Sequence, residues 1–279
     1  MLAQLGKRKV PILMYHSISH STNRKFKQFT VSPSLFAEHM LYLHQQLYTP
    51  ITVTQFMNGL SQEDVALPEK PVILTFDDGF ADFFVEVLPI LKRYRFVATL
   101  YVATAFVNDT SCWLKHEGES ARPMLTWDQL LKLSTYGIEC GAHSHHHYRL
   151  DMLSHIITQD EIVQSKRLLE QHLGQEIVSF AYPYGYYTTT IRKQVREVGF
   201  TSACAVKHQF SSAKSDAFTL PRLMVRPDTS VEALAVLLNE QKFSAVLAMY
   251  TNVRTFVWQI VRRSSALVQR YLKRGLLMQ

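Results

Sequence analysis

Cysteine, glycine and proline are scarce in this chain. Its 279 residues include three cysteines, 10 glycines and 10 prolines. The cysteines are too few and odd in number for a disulfide scaffold, and none forms a Cys-x-x-Cys pair, which also excludes a structural zinc ribbon. Hydrophobic residues make up 47% of the chain. This is enough for one large core or two small ones, and it excludes a disordered or collagen-like protein.

Long hydrophobic runs are also missing. No window reaches the roughly 18 uncharged apolar residues that a membrane-spanning helix needs, and the best candidate, residues 243–249, is too short. The apolar stretch near the N-terminus is interrupted by Pro11 and His16 and lacks the small-residue cleavage site of a secretory signal. The sequence as written therefore predicts a cytoplasmic protein.

The excess of positive charge lies at one end of the chain. The formal net charge is +7, but residues 251–279 contain six arginines and lysines and no acidic residue, which leaves +1 for the remainder. We therefore expect no nucleic-acid partner. Apolar residues recur at helical spacing among these cations, and such a basic amphipathic helix could lie on an anionic membrane surface or pack on the protein. We divide the chain into a domain of residues 1–230 and a C-terminal helical extension of residues 231–279.

Short apolar runs alternate with amphipathic segments from residue 10 onward. This alternation is typical of βα units around a parallel sheet. About seven units can be distinguished, and no Gly-x-Gly-x-x-Gly motif lies on any first turn, so an α/β barrel is favoured over a dinucleotide-binding sheet. The predicted strands cover residues 51–53, 71–76, 97–103, 138–143, 177–182 and 201–206, with a further extended piece at 219–226.

Helix boundaries are predicted from capping residues. Ser32 followed by Pro33 indicates a helix whose apolar face extends to Leu47. Further helices are expected over residues 81–93 and 189–198. Two capping boxes, Thr126 with Gln129 and Thr158 with Glu161, predict two more helix starts. Ser230 is expected to cap the start of a third helix.

Polar side chains stand where several apolar strands end, which is where reactive groups lie in an α/β barrel. Asp77 and Asp78 follow the strand at 71–76. His143 and His147 lie at the end of the predicted strand 138–143 and just after it. Their spacing lets both imidazoles face one point at the zinc-ligand distance of about 2.0–2.1 Å. Together with one carboxylate they leave an open coordination position, as catalytic sites do, and such ligands also admit other divalent ions.

Each feature also has a simpler interpretation. The histidines could form a solvated loop, Asp-Asp-Gly could be an ordinary turn, and His16 could be a buried histidine bonded to a backbone carbonyl. Trp113 and Trp127 could line a groove or merely pack. The joint occurrence of aspartates and histidines at the ends of separate strands favours a metal-dependent hydrolase, in which one aspartate ligates and its neighbour handles protons.

Three motifs, TFDDG (75–79), HSHHH (143–147) and AYPYG (181–185), resemble in this order those of the polysaccharide deacetylase family, the NodB-type carbohydrate esterases of family four. The resemblance covers about residues 10–230. It implies a distorted (β/α)7 barrel and metal-dependent removal of N-acetyl groups from amino-sugar glycans. The implied cofactor is zinc or another divalent metal such as Co, Ni or Mn, and the implied partner is an N-acetylated glycan.

The resemblance also assigns roles by position. Asp77 matches the family's catalytic base, and Asp78, His143 and His147 match its metal ligands. Tyr184 matches the tyrosine whose backbone N–H helps to hold the oxyanion. We call residues 143–147 the histidine loop. Its other three residues are not expected to bind the metal: Ser144, which supports the loop, His145 and His146.

Two departures from the common pattern concern the acid and the base. MYHSI (14–18) resembles the N-terminal motif of the poly-N-acetylglucosamine deacetylase branch, which makes His16 the expected general acid, with His208 as the alternative. The family's usual arginine beside the base is replaced by Ala181 and Tyr182. We therefore expect the base to be tuned differently.

Two other functions fit the same residues. The chain could remove an acetyl or formyl group from a lipid-linked sugar, which a membrane-associated tail would suit. It could also be a non-catalytic glycan-binding protein that has kept the barrel without turnover. The complete Asp, Asp, His, His set favours an enzyme over this second alternative.

Overall fold

The computed structural model describes residues 9–61, 66–207 and 209–239. Its strands are β1 (Lys9–Val10), β2 (Ile12–Tyr15), β3 (Ser17–Ile18), β4 (Thr30–Val31), β5 (Thr49–Ile51), β6 (Pro71–Phe76), β7 (Ala98–Val102), β8 (Ile138–Ala142), β9 (Ser179–Ala181), β10 (Ser202–Cys204), β11 (Ser211–Ser212) and β12 (Leu223–Met224). Its α-helices are α1 (Pro33–Gln45), α2 (Val53–Ser61), α3 (Leu88–Tyr94), α4 (Trp127–Ser134), α5 (His155–Leu173), α6 (Thr189–Glu197) and α7 (Val231–Leu237).

The main sheet is parallel and curls toward closure. Its strands follow the order β10-β9-β8-β7-β6-β2-β12, and β5 pairs with the first half of β6. A parallel bridge between Cys204 and Leu220 joins the segment before β12 to β10, so the two edges of the sheet meet. The α/β barrel expected from the alternating pattern is confirmed.

β6 shows why the sequence forms this architecture. All six of its residues are buried, as a continuous apolar run predicts for a parallel strand covered on both faces. The barrel interior is filled by side chains rather than open. On β8, a Cβ added to Gly141 would lie only 2.6 Å from the ring of Tyr101, so glycine is required there by close packing.

The α1 prediction is confirmed at its start and wrong at its end. The Ser32 hydroxyl accepts a hydrogen bond from the backbone N–H of Leu35, and Pro33 is the first helical residue. The helix ends at Gln45, so Leu47 lies beyond it. Leu47 has a left-handed φ of 61° and is 76% exposed, and it does not belong to the apolar face of α1.

Two other predicted helices differ from expectation. The segment predicted as one helix over 81–93 is a π-helical turn, Phe83–Val87, followed by α3. α5 begins at His155 with Ser154 as its cap, so Thr158 does not start the helix. The Thr158–Glu161 pattern imitates a capping box, whereas the box formed by Thr126 and Gln129 at the start of α4 is real.

Only the first part of the predicted C-terminal extension lies within the described residues. There α7 packs on the barrel, with Leu234 and Leu238 in the main hydrophobic core. The basic segment 251–279 lies outside the described residues, so the domain boundary at residue 230 and the membrane contact stay predictions. In the part of the chain that the structure describes, no helix has the length and apolar character needed to cross a membrane.

Candidate metal centre and active-site cleft

The carboxyl ends of the barrel strands line one cleft of about 470 Å³. Asp77 and Asp78 enter it from the end of β6, and His16 enters it from the end of the neighbouring strand β2. His143 follows β8, and Tyr184 follows β9 in the turn Pro183–Gly185. Residues that are remote in the sequence are therefore neighbours because parallel strands end at the same edge of the sheet.

Asp78, His143 and His147 bring three ligand atoms together. One atom from each residue lies within 4.8 Å of the others, and all three residues are buried. Asp78 Oδ1 is 3.0 Å from His147 Nε2 and 3.5 Å from His143 Nε2. These are the three residues that the resemblance assigns to the metal.

The surroundings of these side chains fix their orientation. His143 Nδ1 donates a hydrogen bond to the carbonyl oxygen of Ala181 at 2.8 Å, which leaves Nε2 as the ligand atom. The Ser144 hydroxyl accepts the backbone N–H of His147 at 3.1 Å, which confirms that Ser144 supports the loop. Asp78, Ser144 and His147 all have positive φ, from 56° to 76°. These tight backbone turns direct the ligands into the cleft.

The donor set fits a divalent cation. Asp78 Oδ1 is buried, and the two imidazole Nε2 atoms of His143 and His147 lie beside it. Burial opposes ionisation of Asp78, but the histidines around it, His147 foremost, hold its pKa well below the ordinary value. Burial also lowers the pKa of His143 to about 4, so this imidazole is neutral near pH 7 and able to ligate. One carboxylate and two imidazoles suit zinc and other first-row divalent ions.

Asp77 is held by a buried arginine that the sequence did not reveal. Arg222 Nη1 lies 2.6 Å from Asp77 Oδ1, and Arg222 Nη2 lies 2.8 Å from Oδ2, a bidentate pair. Burial acts to raise the pKa of Asp77, but the charge of Arg222 and its hydrogen bonds hold that pKa below the ordinary value. The expectation that Asp77 lacks an arginine partner is therefore wrong, because Arg222, the residue directly before β12, supplies one.

The expected acid and oxyanion residues also line the cleft. His16 lies against the ring of Phe29 at 5.0 Å between centroids, and its Nδ1 is buried without a hydrogen-bond partner among the described residues. Tyr184 has a left-handed φ of 60° and a ring 4.8 Å from that of His147. The alternative acid, His208, lies outside the described residues.

Other conspicuous residues are placed more simply. His145 and His146 turn away from the ligand atoms, toward Thr104 at 2.8 Å and Glu161 at 2.6 Å, as expected. Trp127 stacks on His172 and is absent from the cleft lining. Trp113 does line the cleft. It belongs to residues 110–123, which we call the wall segment because its residues Trp113, Leu114, His116 and Glu117 line the cleft.

Comparison with known proteins identifies the family. A family profile described as polysaccharide deacetylase matches residues 64–203, half of the chain. The chain belongs to the polysaccharide deacetylase family. Enzymes of this family are metal-dependent hydrolases of N-acetyl amide bonds in glycans, and the predicted family is confirmed.

Two known proteins are similar to the chain over more residues than the family profile covers. The chain is 29% identical to the Bacillus subtilis protein YxkH, provisionally named a polysaccharide deacetylase, over 84% of this chain and 77% of that protein. It is 21% identical to the poly-β-1,6-N-acetyl-D-glucosamine N-deacetylase of Staphylococcus aureus (strain NCTC 8325), over 79% of this chain and 76% of the enzyme.

Solved structures agree with the barrel. The Streptococcus pyogenes deacetylase PplD in complex with acetate is similar with a TM-score of 0.72 and 27% identity, covering 83% of this chain and 99% of PplD. IcaB from Ammonifex degensii is similar with a TM-score of 0.71 and 24% identity, covering 82% of this chain and 97% of IcaB. The distorted barrel of the NodB type is therefore confirmed.

Proposed function

We propose that this chain is a metal-dependent N-deacetylase of glycans built from N-acetylated amino sugars. The observation that carries the proposal is the cleft that joins a three-residue ligand set, Asp78, His143 and His147, to the Asp77–Arg222 pair. The Staphylococcus aureus relative is named for an N-acetylglucosamine polymer, which supports this substrate class.

Asp78, His143 and His147 would hold the divalent ion, and zinc is the ion we propose from the two-imidazole, one-carboxylate set. Such an ion supplies Lewis-acid polarisation of a carbonyl oxygen and lowers the pKa of a water molecule. The hydrogen bond from His143 to Ala181 keeps its Nε2 aimed into the cleft. Burial of all three ligands restricts access of bulk water to the reacting groups.

Asp77 is the proposed general base. Both of its carboxylate oxygens accept hydrogen bonds from Arg222, which fixes the carboxylate plane and keeps it ionised. A carboxylate so held can take a proton from a water molecule as that water attacks the acetyl carbon. The second aspartate of the pair, Asp78, faces the histidines and serves as a ligand instead.

His16 is the proposed general acid, and Tyr184 the proposed oxyanion donor. His16 lies at the end of the strand beside β6 and can protonate the departing amine nitrogen from its ring. The backbone N–H of Tyr184 would stabilise negative charge on the acetyl oxygen in the transition state. Loss of one such donor typically lowers kcat by about 10²- to 10³-fold.

Acetate release tests the proposal. Zinc-reconstituted protein should release acetate from N-acetylglucosamine oligomers, and Asp77→Asn should abolish the release while leaving the zinc content unchanged. If zinc is bound stoichiometrically and the wild-type protein releases acetate from no oligomer, the proposed substrate class is wrong.

A further inference from the structure

Within the described part of the chain, no hydrogen bond to Nδ1 fixes the ring of His16. Catalytic histidines usually have their second ring nitrogen held by a carboxylate or a carbonyl, which sets the tautomer and the orientation. His16 Nδ1 is buried and has no such partner among the described residues. Its orientation must therefore come from the backbone on either side and from the side chains packed against the ring.

The backbone after His16 is held by a buried ionic cluster. Ser17 is the next residue, and its hydroxyl donates a hydrogen bond to Asp82 Oδ2 at 2.6 Å. Arg122 Nη1 donates to the Ser17 hydroxyl at 2.8 Å and lies 3.3 Å from Asp82 Oδ2. The Arg122 and Asp82 side chains are only 9% and 14% exposed. A hydroxyl between two buried charges has little freedom to move.

The same arginine supports the packing around the His16 ring. The Arg122 guanidinium lies over the ring of Phe26 at 5.3 Å, and Phe26 packs on Phe29 at 5.4 Å. Phe29 is the residue that contacts the His16 ring. Arg122 therefore supports the position of His16 in two ways. It binds the hydroxyl of Ser17, and it packs on Phe26, which contacts Phe29 beside the His16 ring.

Arg122 belongs to the wall segment and is tied to it as well. Its Nη2 pairs with Glu119 at 3.2 Å, and its backbone carbonyl accepts the N–H of Ser111 at 3.0 Å. Trp113 of the same segment lines the cleft. The position of the cleft wall and the position of His16 thus depend on one side chain.

We propose that Arg122 and Asp82 are positioning residues that hold His16 in place for proton transfer to the leaving amine, an inference that rests on the proposed function. Neither touches the substrate in this scheme. They act on the backbone of Ser17 and on the Phe26–Phe29 pair, and they link His16 to the wall segment.

The chemistry of the leaving group offers a selective readout. Cleavage of an N-acetyl amide expels an amine that must gain a proton as the C–N bond breaks, which is the proposed task of His16. Hydrolysis of an aryl acetate breaks a C–O bond and releases a phenolate that leaves without a proton. A displaced His16 should therefore impair the amide reaction and spare the ester reaction.

The experiment compares Arg122→Gln and Asp82→Asn with wild type on N-acetylglucosamine oligomers and on 4-nitrophenyl acetate. We expect kcat for the oligomers to fall by about 10- to 100-fold with little change in KM, and the rate on the aryl acetate to stay within about twofold. His16→Ala should give the same selective loss, larger in size, about 10²- to 10⁴-fold. Arg122→Lys should recover part of the loss because it keeps one donor for Ser17.

Arg192→Gln is the matched control, because Arg192 pairs with Asp216 away from the cleft lining. Equal losses on both substrates, or the same selective loss in Arg192→Gln, would overturn the positioning role. Crystal structures of wild type and Arg122→Gln give a test that needs no turnover, since the inference requires the His16 ring to shift. An unmoved ring would refute it even if the protein proved inactive on both substrates, a result that would separately refute the proposed function.

Discussion

At the scale of single residues, Asp77 and Arg222 form an ion pair that water hardly reaches, with 3% and 0% of the side chains exposed. Removing one partner of such a pair leaves an uncompensated buried charge, at a cost of about 3–5 kcal/mol. We expect Arg222→Met to lower the free energy of unfolding by this amount. The double variant Asp77→Asn/Arg222→Met should recover most of it. Urea denaturation of wild type, Asp77→Asn, Arg222→Met and the double variant measures the coupling, and additive effects would show that the two side chains act independently.

The metal content of two variants distinguishes the proposed ligand role of His143 from the proposed base role of Asp77. His143→Ala removes one of three ligand atoms and should lose both metal and turnover. Asp77→Asn leaves the ligands intact and should lose turnover alone. Elemental analysis after dialysis, beside an acetate assay, distinguishes them. A metal-free His143→Ala protein that still releases acetate would contradict the ligand assignment.

Motif spacing predicted the residues that act locally and missed Arg222. Asp78, His143 and His147 lie beside strand ends, and such positions can be recognised from the amino-acid sequence alone. Arg222 lies 145 residues from Asp77 along the chain, and the two meet only because the barrel brings β12 beside β2. The available signal was an arginine within the apolar extended piece 219–226, where a cation needs a buried partner.

At the scale of elements, helix α5 holds the histidine loop in place. Glu161 on α5 accepts the backbone N–H groups of His145 and His146 at 3.0 and 2.7 Å, and its other oxygen pairs with the His146 ring. These bonds shape the loop that carries His143 and His147.

We expect Glu161→Ala to weaken metal binding by about 10- to 100-fold, as loss of a group that orients ligands typically does. Competition with a chelator measures the affinity. Glu197→Ala on α6 is the control, because Glu197 forms an exposed pair with Lys193 on the same helix and its loss should leave metal affinity unchanged. Equal affinities in all three proteins would show that the loop keeps its shape without α5.

The wrong prediction that Thr158 starts helix α5 also follows from the contacts of Glu161. Thr158 and Glu161 have capping-box spacing, but the Glu161 side chain serves the histidine loop and Ser154 caps the helix. Spacing cannot tell which of two competing partners a carboxylate chooses. By contrast, β6 was predicted to the residue, because a wholly buried strand leaves a continuous apolar run bounded by Lys70 and Asp77.

At the scale of the whole molecule, Asp82 should make stability depend on pH. Burial raises its pKa to about 6, against the hydrogen bond from Ser17 and the charge of Arg122. In the unfolded chain an aspartate loses its proton near pH 4. Between about pH 4 and pH 6 the folded state therefore binds more protons, and the contribution of Asp82 to stability falls as pH rises through this interval.

We expect wild type to lose about 2 kcal/mol relative to Asp82→Asn between about pH 4.5 and pH 7.5. Urea unfolding of both proteins at the two pH values measures the difference, with Asp82→Asn as the reference that cannot titrate at this position. Parallel changes in the two proteins would contradict the raised pKa.

Barrel closure also has a consequence for synthesis on the ribosome. Asp78, His143 and His147 all emerge well before Arg222, so a nascent chain could gather its metal ligands while Asp77 still lacks a cationic partner. Arg222 reaches Asp77 only when β12 docks beside β2. A chain cut short before that strand would carry the ligands without a prepared base, which ties the proposed hydrolytic competence to completion of the fold.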